Sequence, residues 1–141
     1  IRMETVKNLT QADILKISKI QLISDYILNR SKDINTYNET HAIDKSLLIN
    51  GRNLTNIGVF RKYMETYIEQ HSAINKDMMI MVRQQQPSAQ GLPIEIYAFS
   101  SDKRWENYEF IIADIFDHMI ASVNDFDLEI SETPVFTTLK K

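Results

Sequence analysis

Cysteine is absent from the 141-residue chain. Its absence excludes disulfides and thiolate metal sites and suits a reducing compartment. Glycine and proline occur three times each, tryptophan once. No apolar run approaches the roughly 20 residues that a helix needs to cross a bilayer, and no signal peptide is visible. A basic excess is missing too. Sixteen Lys and Arg stand against 19 Asp and Glu, a formal charge of −3. Nucleic-acid binding would show as a basic stripe, so nucleic acid is not an expected partner. P-loop, GxGxxG, GxSxG and HExxH motifs are all lacking. The chain starts at Ile1, within an alternating segment, and reads as a piece of a larger protein.

What is present suits one domain over residues 1–141. A hydrophobic fraction of 43% is enough for a core. Charge is uneven: from His71 onward there are 6 basic and 11 acidic residues, against 10 and 8 before it. The later half therefore carries an acidic face, able to bias a local ion atmosphere.

Gly91 to His118 organises the rest. Ile94, Ile96 and Ala98 alternate with Glu95, Tyr97 and Phe99, the period of a strand. Pro93 cannot donate to a ladder and belongs at the strand's start or on an edge. Ser101 or Asp102 is placed to cap a helix. Along that helix Trp105, Tyr108, Ile112, Ile115, Met119 and Val123 recur at three- and four-residue steps, giving a wide apolar face.

Ile1 to Lys7 alternates loosely and reads as a strand. Thr10-Gln11-Ala12-Asp13 resembles a capping box, with Leu9 placed to staple onto Ile14. Ile14, Ile17, Ile20, Ile23 and Ile27 then predict a helix over Gln11 to Leu28, its face widened by Leu15, Leu22 and Leu28. Residues 29–53 are polar and aperiodic, and read as a flexible insertion tacked down by Leu47 to Ile49, with Asn50-Gly51 as a turn. Asn53 or Thr55 caps the next helix, whose face is Ile57, Phe60, Met64, Tyr67 and Ile68, ending near His71. Gly58 in its first turns implies close backbone packing. Met78 to Gln84 reads as a buried strand forming a hairpin with the one after Pro93. Phe126, Leu128 and Ile130 alternate as a last strand, Pro134 ends it, and residues 134–141 form a tail. Merging the first two helical segments gives β-α-β-β-α-β. The expected fold is thus α+β: a ferredoxin-like sandwich, its antiparallel or mixed sheet carrying helices on one face, with a long insertion after the first helix.

Candidate chemistry is thin. Asp114 and His118 lie one turn apart, with Asp117 beside them, and are the best metal candidates. They lack a further ligand, and the plainer reading is a polar helix face. Glu106 and Glu109 pair as carboxylates but sit among solvent-facing positions with no cleft implied. Arg52, Arg61, Lys62 and Arg83 are too dispersed for a polybasic segment. Tyr97 and Phe99 share a strand face that either looks outward as a partner interface or tucks under the helix.

Three stretches carry a resemblance: LTNIGVFR (Leu54 to Arg61), MVRQ…P…GLPIEIYAF (Met81 to Phe99) and W..YE...ADIFDH (Trp105 to His118). They resemble the C-terminal cytosolic region of the small-conductance mechanosensitive channel (MscS-type) family, closest to the branch with an enlarged cytosolic insertion. Ser31 to Ala42 carries no likeness. The resemblance implies a bacterial inner-membrane channel subunit, this domain on the cytoplasmic side. Seven identical subunits would surround a vestibule below a pore that opens under tension in hypoosmotic stress. The membrane-spanning helices would precede Ile1. It implies no enzyme activity and no cofactor. Gly58, Phe60, Arg61, Arg83, Gly91, Pro93, Glu95, Tyr97, Trp105, Tyr108, Asp114, Phe116, Asp117 and His118 become family-motif or packing residues. Read from the residues alone, the alternative is a ferredoxin-like regulatory module binding a small ligand on its sheet face.

Overall fold

A computed structural model describes residues 1–102 and 104–132. The expected tail, 134–141, lies outside the described residues. The class is α+β. Helices α1 (Gln11–Ile17), α2 (Ser24–Thr40) and α3 (Asn56–Gln70) precede strands β1 (Met81–Gln84) and β2 (Ile94–Tyr97), and helix α4 (Trp105–Ser122) follows. The strands pair antiparallel, with Val82 opposite Ile96 and Arg83 opposite Glu95. They are the whole sheet among the described residues.

Helix α3 is the centre. Its Ile57, Val59, Phe60, Met64 and Ile68 are buried because they recur at the helical period along one wide face. Thr55 caps it, its Oγ1 accepting from Gly58 N–H at 3.1 Å; Asn53 does not. The Phe60 ring meets Phe126 at 5.1 Å. Ile23 and Ile27 close one flank, Leu128 another. A Cβ on Gly58 would sit 3.0 Å from Thr55 Oγ1. The crowding at Gly58 therefore comes from its own cap.

Several expected elements take another form. The predicted helix over Gln11 to Leu28 is broken. α1 stops at Ile17, Ser18 Oγ donates back to Leu15 C=O at 2.7 Å, and Ile20 is extended. The turn lets Ile17, Ile23 and Ile27 all bury, while Leu15 and Leu28 stay exposed. The capping box is as expected: Thr10 and Asp13 exchange side-chain and backbone bonds at 3.0 and 3.2 Å.

Residues 29–53 hold regular structure where an aperiodic stretch was expected. Their first part continues α2 to Thr40, burying Ile27, Ile34 and Asn38 along one stripe. The rest is a cross-braced loop. Asn38 clamps it from α2, accepting from Arg52 N–H at 2.9 Å and donating to Arg52 C=O at 3.1 Å. Lys45 Nζ donates to Leu48 C=O and Asn53 Oδ1, both at 2.7 Å. Gly51 has φ +71°, and a Cβ there would come within 2.7 Å of Ile43 Cγ2. Only Leu48 tacks inward. Leu47 and Ile49 are exposed.

Ile1 to Lys7 is no strand: Met3–Thr5 is a 3₁₀ turn. Ile1 does exchange two backbone bonds with Leu92, at 2.8 and 2.9 Å, as antiparallel partners do. Gly91 permits this approach, since a Cβ there would meet Ile1 C=O at 2.6 Å. The last strand is also absent. Val123–Phe126 is a 3₁₀ turn and Asp127 is left-handed, φ 56°. Phe126 and Leu128 are buried as their alternation implies, but Glu129 C=O takes just one bond, from Arg2 N–H. The Met78 to Gln84 run yields only β1. Met78 and Met79 are exposed and Val82 alone is buried, because the hairpin packs on α3 by one face.

One polar side chain holds these ends together. Asn56 is 1% exposed. Its Oδ1 accepts from Lys7 N–H at 2.9 Å; its Nδ2 donates to Thr5 C=O at 2.9 Å and Phe126 C=O at 3.0 Å. Among the described residues neither end forms a ladder, and this amide supplies partners to both.

Candidate functional site

Two surfaces gather the candidate residues. The first is the seam between α3 and α4. Tyr63 and Tyr67 lie four residues apart on one stripe of α3, and His71, the residue just past its end, follows four residues later. Asp114 and His118 share a stripe of α4. The stripes mesh in opposite directions. His71 Nε2 meets Asp114 Oδ2 at 3.0 Å. The Tyr67 ring stacks on His118 with centroids 3.9 Å apart and planes 6° from parallel. Tyr63 Oη shares a 2.6 Å hydrogen bond with His118 Nε2.

Elementary bonding fixes one proton. Ala73 N–H donates to His71 Nδ1 at 3.2 Å. Nδ1 is thus an acceptor, and Nε2 carries the hydrogen given to Asp114. Burial raises the Tyr67 phenol above its ordinary range, helped by the Asp114 charge and by Tyr63. Tyr67 therefore stays neutral and serves as a stacking surface. The seam brings Asp114 and His118 together with two partners that sequence reasoning missed, Tyr63 and His71. Asp117 points elsewhere and is exposed. The described residues hold no group of three or more His, Cys, Asp or Glu able to bind a metal. Asp114 and His118 instead make the helix-to-helix contacts of this seam.

The second surface is the outer face of α4 with the hairpin. Trp105 is 72% exposed and Phe110 77%, with Tyr108, Phe116 and Ile120 also exposed. Trp105 and Tyr108, expected on the core face, instead face out: α4 buries only Ile115, Met119 and Ser122. Neither Ser101 nor Asp102 is the N-cap; Arg104 is, without a side-chain cap bond. Asp102 still braces the turn, its Oδ1 accepting from Arg104 N–H at 2.9 Å and Oδ2 from Asn107 Nδ2 at 2.7 Å. These bonds hold its carboxyl well below the usual range, the Arg104 side chain contributing most. Tyr97 and Phe99 look outward and meet edge to face at 5.3 Å. Between β2 and α4 lies an apolar groove of about 130 Å³.

The remaining candidates are dispersed. Arg83 pairs with Glu95 across the hairpin at 3.1 Å. Arg52 lies 3.9 Å over the Tyr37 ring, and Lys62 pairs with Glu65 at 3.6 Å. Arg61 Nε is buried without a hydrogen-bond partner among the described residues. Glu106 and Glu109 are exposed. Pro93 sits at the start of β2, where Gln85 N–H donates to its C=O at 3.0 Å. No described helix is long and apolar enough to cross a membrane.

No protein-family model matches the chain, and no solved structure matches it significantly.

Proposed function

We propose that this chain is a cytosolic vestibule domain of an MscS-type mechanosensitive channel subunit. In this reading identical subunits, seven in the family, associate through it beneath a tension-gated pore. It helps to control ion and solute access during hypoosmotic stress. Its place is the cytoplasmic side of a bacterial inner membrane, with membrane helices outside this sequence and no catalytic role. The observation that carries the reading is the outer face of α4. Trp105, Phe110, Phe116 and Ile120 are large apolar side chains exposed to water on one helix, the kind of surface that supports a partner interface.

The ferredoxin-like arrangement belongs to the same proposal. Its support is spatial order: Glu129 bonds Arg2, Ile1 bonds Leu92, and β2 bonds β1. The first segment thus lies between the last and the third. The reciprocal Ile1–Leu92 pair departs from that fold's parallel first and third strands.

The test is suction on liposome patches holding the longer protein that carries this chain. Tension-gated current is the expected result. Silence up to the tension at which the membrane breaks overturns the channel reading.

A further inference from the structure

The loop after α2 carries the one Asn-Gly pair of the chain, Asn50–Gly51; every other asparagine is followed by a bulkier residue. Both residues are exposed, and Gly51 is left-handed at φ +71°. With no Cβ on its residue, a glycine nitrogen is the least hindered in a peptide chain. Among the described residues Gly51 N–H donates no hydrogen bond. The carbonyl of the same peptide unit is engaged by a cation. Lys45 Nζ donates to Asn50 C=O, and also to Leu48 C=O and Asn53 Oδ1, both at 2.7 Å. An ammonium on a carbonyl oxygen favours the deprotonated amide, in which that oxygen gains negative charge, and so makes the N–H more acidic. The side-chain amide of Asn50 is held as well, its Nδ2 donating to Asp44 C=O at 2.9 Å.

We propose that Asn50 is a site of self-modification, in which Gly51 N attacks Asn50 Cγ and Lys45 activates the attack. Gly51 N–H gives its proton to water or hydroxide. The nitrogen's electron pair forms the bond to Cγ, the Cγ–Nδ2 bond breaks, and Nδ2 takes up a proton and leaves as ammonia. The resulting succinimide ring then adds water at either of its carbonyls. Opening at one leaves aspartate; opening at the other leaves isoaspartate, with the main chain running through the former side chain. Water is the only co-reactant. Either product removes the Nδ2 bond to Asp44 and puts a carboxylate near Lys45. Isoaspartate also lengthens the main chain just before Gly51, where space is short: a Cβ on Gly51 would lie 2.7 Å from Ile43 Cγ2. The Asn38 clamp on Arg52 follows directly and should loosen.

The test is incubation of the full chain at neutral pH, with the amide-to-acid mass change at Asn50 followed by mass spectrometry of its digest. The same chain in guanidinium chloride is the reference, because unfolding takes Lys45 off Asn50 C=O. Folded Asn50 should convert about tenfold faster than unfolded Asn50. Exposed Asn35, followed by Thr36 within α2, should stay an amide in the folded chain. A folded rate equal to or below the unfolded one overturns the proposal. Lys45→Met, with its fold checked by circular dichroism, separates activation from exposure. Its rate should fall about tenfold, which sets its rate–pH line about one pH unit higher, and Lys45→Arg should restore most of the rate. A Lys45→Met rate equal to the parent's overturns the role given to Lys45. Loosening is read from hydrogen exchange at Arg52 N–H, which donates to Asn38 Oδ1. Exchange should quicken in the isoaspartate fraction, and unchanged protection there overturns the effect on the loop.

Discussion

Helices α3 and α4 have similar lengths, 15 and 18 residues, and opposite fates. α4 is the more apolar in sequence, yet it buries three residues where α3 buries six. α3 is polar on its outer side and meets the hairpin, the turn before α2 and the turn after α4. α4 meets the body mainly through its second half, leaving Trp105, Tyr108 and Phe110 in water. Apolar content therefore does not rank a helix's share of the core. The surplus on α4 faces outward, where a partner can use it.

The widest separation between the helices is expected from truncating one ring on each. Phe60→Ala empties a site packed on Phe126 and should cost about 4 kcal/mol in urea unfolding. Phe110→Ala should stay within about 0.5 kcal/mol while weakening self-association. Equal costs would break the comparison. Next comes Asn56→Ala at the start of α3. It strands Lys7 N–H and the Thr5 and Phe126 carbonyls, and should cost about 3 kcal/mol. Asn56→Asp should rescue the Lys7 bond alone.

These residues also mark what the sequence makes legible. The face of α3, the hairpin, the Thr10 capping box and the Thr55 cap are local patterns, written within a few residues of where they act. The break after Ile17 is not local, because the isoleucine period continues across it and only burial against α3 selects the turn. α2 is built from Asn, Ser, Asp and Thr, which are weak helix formers. Its buried stripe of Ile27, Ile34 and Asn38 is too sparse to read as a period. The two end strands fail for a different reason: alternation encodes a buried face, not a ladder partner, and Asn56 takes the bonds instead. At the seam, one-turn spacing pairs Asp114 with His118, but His71 lies 43 residues away in sequence and enters only through the fold.

The seam offers a medium-sized test of how α4 is fastened to α3. Tyr63→Phe removes the 2.6 Å bond to His118 and keeps the ring on Phe126. It should cost about 1 kcal/mol, well below Phe60→Ala. The His71 tautomer is checked separately by nitrogen NMR, which should find the hydrogen on Nε2. Protonating Nδ1 removes the acceptor for Ala73 N–H. A hydrogen on Nδ1 at neutral pH would contradict the seam as described.

The smallest effect belongs to the short helix α1. Asp13 is held below the ordinary carboxylate range. Its bond from Thr10 N–H contributes most, burial opposes it, and the Thr10 hydroxyl with Lys7 and Lys16 adds to the lowering. A carboxyl whose folded pKa lies below its unfolded value stabilises the fold in its ionised form. That stabilisation is complete above the unfolded value of about 3.9 and disappears as pH falls through the lower folded value. Melting temperature should therefore decline across this acid window. Asp13→Asn can still accept a bond from Thr10 but has no charge for Lys7 or Lys16. It should start slightly less stable at neutral pH and lose less on acidification. An identical acid slope in both proteins would move the titration away from the α1 cap, with the Asp102 turn before α4 next to test by Asp102→Asn.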